Sequence, residues 1–159
     1  MNRTLLIGYG NPDRQDDGVA WHILHALAFQ LHLPAPDSYE DEFPSNNRLD
    51  FVFTLQLTPE MAEQIAPYER VCFVDAHTGS IAAEVQLVAV EAQFQQSPFT
   101  HHLTAQSLLS MCQMLYGKTP QAALVSVLGY QFEFERQLSA ETAALVPEAV
   151  AKILSWIEG

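Results

Sequence analysis

Short, almost uninterrupted apolar runs alternate along this chain with stretches whose apolar residues follow helical spacing. The runs at 3–8 (RTLLIG), 71–75 (VCFVD) and 123–130 (ALVSVLGY) have the length and composition of strands that are buried on both faces. Such strands are typical of parallel sheets, because the helices that connect parallel strands cover both faces of the sheet. The alternation therefore predicts an α/β fold.

Two further strands and four helices complete the predicted order. Segments 50–56 and 84–90 have strand character, and helical spacing predicts helices at 18–31, 58–65, 103–116 and 139–157. Thr58 and Thr104 are predicted to cap their helices, and Pro147 is predicted to divide the last helical segment into a short turn and a main helix. The resulting order is β-α-β-α-β-β-α-β-α.

We therefore predict a single domain over residues 1–159, with a mostly parallel, twisted, five-stranded sheet sandwiched by helices. The segment 33–47 is rich in proline, aspartate, glutamate, serine and asparagine, and it predicts a flexible surface loop.

Charge and cysteine content restrict the function. The chain has 19 acidic and 7 basic residues, and a net charge of −12 argues against direct binding of nucleic acid. No apolar run reaches the roughly 18 residues of a membrane span, and the N-terminal run is interpreted as a strand, not a signal peptide. Cys72 and Cys112 lack metal-binding spacing and are predicted to be buried, reduced thiols. Together these features predict a cytoplasmic protein.

The polar residues that follow the predicted strands are the candidates for chemistry. Ligand sites of open parallel sheets lie beyond the carboxyl ends of the strands. The segment after the first strand contains Asn11, Asp16 and Asp17, and the third strand leads into Asp75 and His77. These side chains are therefore expected at one edge of the sheet.

A third polar cluster, His101 and His102, lies just before the helix predicted at 103–116. Carboxylate oxygens and imidazole nitrogens from three loops would suit zinc or nickel. The alternative is structural: Asp16 or Asp17 caps the first helix, Asp75 forms a turn with the residues after it, and the two histidines are simply exposed.

Five motifs resemble those of the hydrogenase maturation proteases, which process the C terminus of nickel–iron hydrogenase large subunits. In chain order they are GYGN at 8–11 with DDGV at 16–19, LTPEMA at 57–62, VDA at 74–76, HHLT at 101–104, and LGY at 128–130 followed by LS at 138–139. The resemblance spans nearly the whole chain.

The resemblance implies an endopeptidase that removes the C-terminal extension of a nickel-loaded large-subunit precursor. It implies that Asp17, Asp75 and His101 bind the nickel, which the precursor supplies, and that Asp17 and Asp75 take part in catalysis. The family often has glutamate where this chain has Asp17. Four neighbouring residues are predicted to support or replace these ligands: Asp16, His102, Asn11 and His77.

Two other functions fit part of the sequence. The turn Gly8–Pro12 also resembles peptidyl-tRNA hydrolases, although the histidine and asparagine that those enzymes need soon afterwards are replaced here by 16–18 (DDG). The second alternative is a catalytically silent module whose acidic residues are turn formers and whose surface binds a partner protein.

Overall fold

The computed structural model of the chain describes residues 3–46, 48–93 and 103–159. The strands in the described residues are β1 (Thr4–Tyr9), β2 (Leu49–Thr54), β3 (Arg70–His77), β4 (Val85–Val90) and β5 (Gln121–Leu128). The α-helices there are α1 (Val19–Gln30), α2 (Met61–Ile65), α3 (Ala105–Tyr116), α4 (Ala140–Ala143) and α5 (Val146–Glu158), and a short 3-10 helix at Gln15–Gly18 precedes α1.

The five strands form one sheet in the order β2-β1-β3-β5-β4. The pairs β1–β2, β1–β3 and β3–β5 are parallel, and only the edge strand β4 is antiparallel to its neighbour. The prediction of a single α/β domain with a mostly parallel five-stranded sheet is thus confirmed.

Helices cover both faces of the sheet, as the continuous apolar strands predict. On one face α1 and α5 pack over a core that contains Leu24, Leu27 and Ile153, all fully buried. On the other face α2 and α3 pack over Phe73 and Leu108. Because every central strand is covered on both sides, its residues are apolar at successive positions and do not alternate.

Two predicted local signals, Thr104 and Pro147, mark helix starts in the structure. The Thr104 side chain accepts a hydrogen bond from Ser107 N at 3.1 Å and so caps α3. Gly117 ends the same helix in the left-handed conformation (φ 67°). Pro147 lies in the first turn of α5, and the predicted division of the last helical segment is confirmed by the separate helix α4.

The predicted cap at Thr58 is wrong. Met61 N bonds to the main-chain carbonyl of Thr58 at 3.1 Å, and Ala62 N bonds to that of Pro59 at 3.1 Å. A turn with three-residue spacing therefore precedes α2, which begins only at Met61. Glu60 takes the cap position without a side-chain hydrogen bond.

The described part of the predicted loop, 33–46, contains no helix or strand. Two aromatic residues attach it to the domain: the Phe43 ring lies 5.5 Å from the ring of Trp21, and the Tyr39 hydroxyl donates to Asp13 at 2.9 Å. The irregular conformation is as predicted, and its flexibility stays a prediction.

Two further observations concern the rest of the chain. Cys72 and Cys112 are buried free thiols, as predicted. In the part of the chain that the structure describes, no helix is both long enough and apolar enough to cross a bilayer.

Candidate active site

The sheet order creates a crevice between β1 and β3. The chain leaves β1 for β2 on one side and returns to β3 on the other, so the connecting helices α1 and α2 lie on opposite faces. Such a reversal of strand order opens a ligand site beyond the carboxyl ends of the two strands. Asp17, which follows β1, and Asp75, near the end of β3, both line a cavity of about 590 Å³ at this point.

The Asp17 carboxylate is held by the loop that follows β1. Its Oδ2 accepts a hydrogen bond from Asn11 N at 2.8 Å. The backbone packs so closely here that a Cβ atom on Gly10 (φ 140°) would lie 2.0 Å from the carbonyl oxygen of Asp17. Likewise, a Cβ atom on Gly18 would lie 2.3 Å from Pro12 Cα. The glycines of this motif are therefore required for Asp17 to reach the cavity.

The Asn11 side chain has a separate, local role. Its Oδ1 accepts a hydrogen bond from Asp13 N at 3.0 Å, which shapes the turn after β1. Asn11 thus positions Asp17 through its main-chain amide, while its side chain stabilises the loop.

Asp75 lies in an environment that disfavours its charge. Burial, reinforced by the negative charge of Asp17, raises the pKa of the Asp75 carboxyl to about 7, against the opposing effect of hydrogen bonds from Ala76 N and the Tyr9 hydroxyl. The bond from Ala76 N to Oδ1 is 2.7 Å long. Burial and the neighbouring Asp75 also raise the pKa of Tyr9. A cation bound beside the two carboxylates would relieve their repulsion, so this donor pair fits a metal ion.

Asp16, adjacent to Asp17, points away from the cavity and is fully buried. Its carboxylate accepts hydrogen bonds from Tyr130 N (2.8 Å), Gln131 N (2.8 Å), Ser139 N (2.9 Å), Ser139 Oγ (2.6 Å) and Thr142 Oγ1 (2.8 Å). Although burial acts to raise it, these bonds together hold the pKa of Asp16 below its ordinary value. Asp16 therefore joins the loop after β1 to the segment after β5.

Neither acid caps α1, so the structural interpretation of Asp16 and Asp17 as helix caps is wrong. The cap position belongs to Gly18, which offers no side chain for a hydrogen bond. The reason is that the 3-10 helix lies between the loop and α1 and places Asp17 one position, and Asp16 two positions, before the cap.

His77, and not Asp75, closes the turn after β3. Its Nδ1 accepts a hydrogen bond from Gly79 N at 3.1 Å, and its Nε2 donates to the carbonyl of Ala83 at 3.0 Å. β3 also runs beyond the predicted end at residue 75, so His77 is still part of the strand. With both ring nitrogens engaged and the ring buried, His77 stabilises the turn.

His101 and His102 lie outside the described residues, so the choice between them as metal ligand stays a prediction. Leu103, the first described residue after them, lines the same cavity as Asp17 and Asp75. Within 3–46, 48–93 and 103–159, no group of three or more histidine, cysteine, aspartate or glutamate side chains could hold a metal ion.

Several residues that line the cavity were missed by sequence reasoning, among them Tyr9, Arg14 and Phe132. A strand period of two could have found Tyr9, because it lies on the same face of β1 as the buried residue Ile7. No local signal identifies Arg14 or Phe132, because they reach the site through the loops after β1 and β5, which pair at Arg14 and Glu135.

Comparison with solved structures identifies the architecture. The hydrogenase-maturating endopeptidase HybD from Escherichia coli matches over 98% of this chain and 92% of its own, with a TM-score of 0.72 and 19% sequence identity. The [NiFe] hydrogenase maturation protease HycI from Thermococcus kodakarensis KOD1 matches over 99% and 94%, with a TM-score of 0.67 and 15% identity. The chain has the fold of the hydrogenase maturation endopeptidases.

A third structure of this fold agrees. The hydrogenase 2 maturation peptidase from a Thaumarchaeota archaeon matches over 99% of both chains, with a TM-score of 0.63 and 20% identity. No protein-family model and no curated protein sequence matches the chain. The likeness to the maturation endopeptidase fold therefore lies in the backbone, at low sequence identity.

Proposed function

We propose that this protein is an endopeptidase that removes the C-terminal extension of a nickel-loaded nickel–iron hydrogenase large-subunit precursor. The observation that carries the proposal is the pair Asp17 and Asp75: two carboxylates, one from the 3-10 helix after β1 and one near the end of β3, line one cavity at the strand-order reversal of a fold shared with hydrogenase maturation endopeptidases.

The two carboxylates suit recognition of a metal that the substrate carries. Oxygen ligands from Asp17 and Asp75, together with an imidazole nitrogen from His101, would complete the coordination of a nickel ion whose other ligands belong to the precursor. His102 is the alternative donor. On this proposal the isolated protein holds no tightly bound metal, and a purified sample with one metal ion per chain by elemental analysis would contradict it.

The same carboxylates can serve hydrolysis. A carboxylate of the pair accepts a proton from the water that attacks the carbonyl carbon of the scissile peptide bond. When the tetrahedral intermediate collapses, the carbon–nitrogen bond breaks and the proton passes to the departing amine nitrogen. The Tyr9 hydroxyl keeps Asp75 in position for this reaction.

The decisive experiment compares a nickel-loaded with a nickel-free precursor, each incubated with the purified protein, with mass spectrometry to follow loss of the C-terminal extension. We expect cleavage of the loaded precursor only. We expect Asp17→Asn, Asp75→Asn and His101→Ala to abolish it, and the exposed-residue variant Asp37→Asn to retain it. His102→Ala decides between the two histidines.

Each other outcome has a definite meaning. Equal cleavage of both precursors would retain the peptidase and discard nickel recognition. No cleavage across a panel of loaded precursors would discard the peptidase and leave a partner-binding module. The substrate, the use of nickel and a cytoplasmic location are all parts of the proposal.

A further inference from the structure

A second cavity, of about 420 Å³, lies beside the free edge of β2, on the far side of that strand from β1. We call it the β2-edge groove. One wall is the strand at 50–53, and the other is the irregular segment 39–43 together with Ser45. Arg3, Gln64 and Tyr68 line the end towards α2.

The outer edge of β2 carries main-chain groups that have no hydrogen-bond partner among the described residues. The carbonyls of Arg48 and Thr54 accept hydrogen bonds from the β1 side, from Thr4 N at 2.8 Å and Gly10 N at 3.2 Å. Because the direction of these groups alternates along a strand, the N–H and C=O groups of Phe51 and Phe53 point outward, and no hydrogen bond from a residue in 3–46, 48–93 or 103–159 reaches them.

The charge of the groove is negative, although Arg136, whose guanidinium lies over the Tyr39 ring, partly offsets the charge of Glu40. Glu40, Asp41 and Glu42 are exposed along its outer wall, and none of them forms an ion pair with any residue that the structure describes. The cation in the groove, Arg3, is already neutralised, since its guanidinium donates to Asp50 Oδ2 at 2.7 Å. The complementary ligand is therefore positively charged.

The groove leads towards the candidate active site. β2 ends at Thr54, and the chain leads from there directly into Leu55, Gln56 and Leu57, all three of which line the cavity that contains Asp17 and Asp75. A chain paired with β2 would advance about 3.3 Å per residue and so would reach that cavity within a few residues of Phe53.

We infer that the β2-edge groove binds an extended, basic segment of the substrate polypeptide, which adds to the sheet as a sixth strand next to β2. Main-chain hydrogen bonds to Phe51 and Phe53 supply the pairing, and the acidic wall selects lysine or arginine side chains. The identity of the segment as substrate rests on the proposed peptidase function. The pairing itself does not, because it needs only the strand edge and its charge.

Binding is tested without any hydrolysis. The probe is a capped eight-residue peptide of alternating lysine and valine, and its partners are the same peptide with glutamate for lysine and the lysine peptide with alternate main-chain nitrogens methylated. Fluorescence anisotropy should show saturable binding of the first peptide and affinities at least about tenfold weaker for the other two. Amide hydrogen exchange should slow at Phe51 and Phe53 but not at Val52, whose amide already faces β1.

Protein variants complete the test. Neutralising the wall by Glu40→Gln, Asp41→Asn and Glu42→Gln should weaken the lysine peptide about tenfold, whereas the matched triple change Glu141→Gln, Glu148→Gln and Glu158→Gln, at α4 and α5, should leave its affinity unchanged. In the precursor cleavage assay the wall variant should raise KM and leave kcat unchanged.

The outcomes separate this inference from the proposed function. The inference is overturned if the lysine and glutamate peptides bind equally, or if neither slows amide exchange at Phe51 and Phe53. The acidic wall would then only prevent unwanted pairing at the strand edge. If the peptide binds as expected and no precursor is cleaved, the strand-pairing role of the groove is retained and the proposed peptidase function is rejected. If cleavage occurs with KM the same in the wall variant and the wild type, the groove is not a substrate site.

Discussion

Replacing Asp75 by asparagine should stabilise the protein at neutral and alkaline pH while it abolishes the proposed cleavage. Asparagine has nearly the same shape as aspartate, and its side-chain oxygen can still accept the hydrogen bond from Ala76 N. It carries no charge, however, so it escapes both the cost of burial and the repulsion from Asp17 that raise the pKa of Asp75.

The size and the pH range of the effect follow from that pKa. Because the folded value, about 7, lies above the ordinary value of 3.8, the folded state keeps a proton that the unfolded state has released. The stabilisation linked to Asp75 is therefore complete below about pH 4 and is lost as the pH rises through about 7. Three pKa units correspond to about 4 kcal/mol, and solvent at the mouth of the cavity should reduce the observed effect to roughly 2 kcal/mol.

Urea denaturation of wild type and Asp75→Asn at about pH 5 and about pH 8 measures this effect. The variant's advantage in the free energy of unfolding should grow between the two pH values. Asp50→Asn is the control of opposite sign: although burial acts to raise it, hydrogen bonds from Tyr68, Asn46 N and Arg3 hold the pKa of Asp50 below its ordinary value. Loss of this carboxylate should therefore destabilise the protein to a similar extent at both pH values, and the cost should shrink only as the pH falls below about 4.

A wild type that is more stable than Asp75→Asn at about pH 8 would refute this reasoning, as would an advantage of the variant that is independent of pH. Either result would mean that the ionised carboxylate is stabilised by the site, contrary to the direction of its pKa shift. The cleavage assay is a separate readout, because loss of activity in a more stable protein excludes unfolding as its cause.

Three other predictions concern the loops and one helix end. Asp16→Asn should lower the free energy of unfolding by about 3 kcal/mol, because the amide group of the asparagine would face several hydrogen-bond donors in a buried site. In the same urea titrations, Asp17→Asn should lower it by under about 1 kcal/mol. Gly10→Ala should lower the thermal midpoint by more than Gly117→Ala, since its Cβ would overlap a carbonyl oxygen while Gly117 faces open space; equal losses would contradict the close packing. Arg70→Met should lose about 1–3 kcal/mol in calorimetry, because Arg70 donates to two carbonyls at the end of α5; unchanged stability would show that this cap is dispensable.

Most of the fold could be predicted from the sequence, because its signals are local. Continuous apolar runs identified the central strands, Pro147 separated the last two helices, and Thr104 marked the start of α3. The predicted element boundaries were wrong where a main-chain group forms its hydrogen bond with a different partner. Before α2, the Thr58 main-chain carbonyl accepts the hydrogen bond that its side chain was predicted to accept. β5 ends at Leu128, before the predicted Tyr130, because Tyr130 N donates to the Asp16 carboxylate.

The sequence by itself determined that Asp17 and Asp75 would come from loops or strand ends at one edge of a parallel sheet. The family resemblance favoured Asp17 over Asp16 as the ligand, but the sequence contained no sign of the hydrogen bonds that bury Asp16 or of the β2-edge groove. Only the tertiary structure showed that Asp16 is buried in hydrogen bonds between two loops, whereas Asp17 lines the cavity. The physical reason is distance along the chain: the partners of Asp16 lie 114 to 126 residues away, and the groove depends on which strand is left at the edge of the sheet. Local patterns cannot encode contacts of that range, whereas folding brings them within a hydrogen bond.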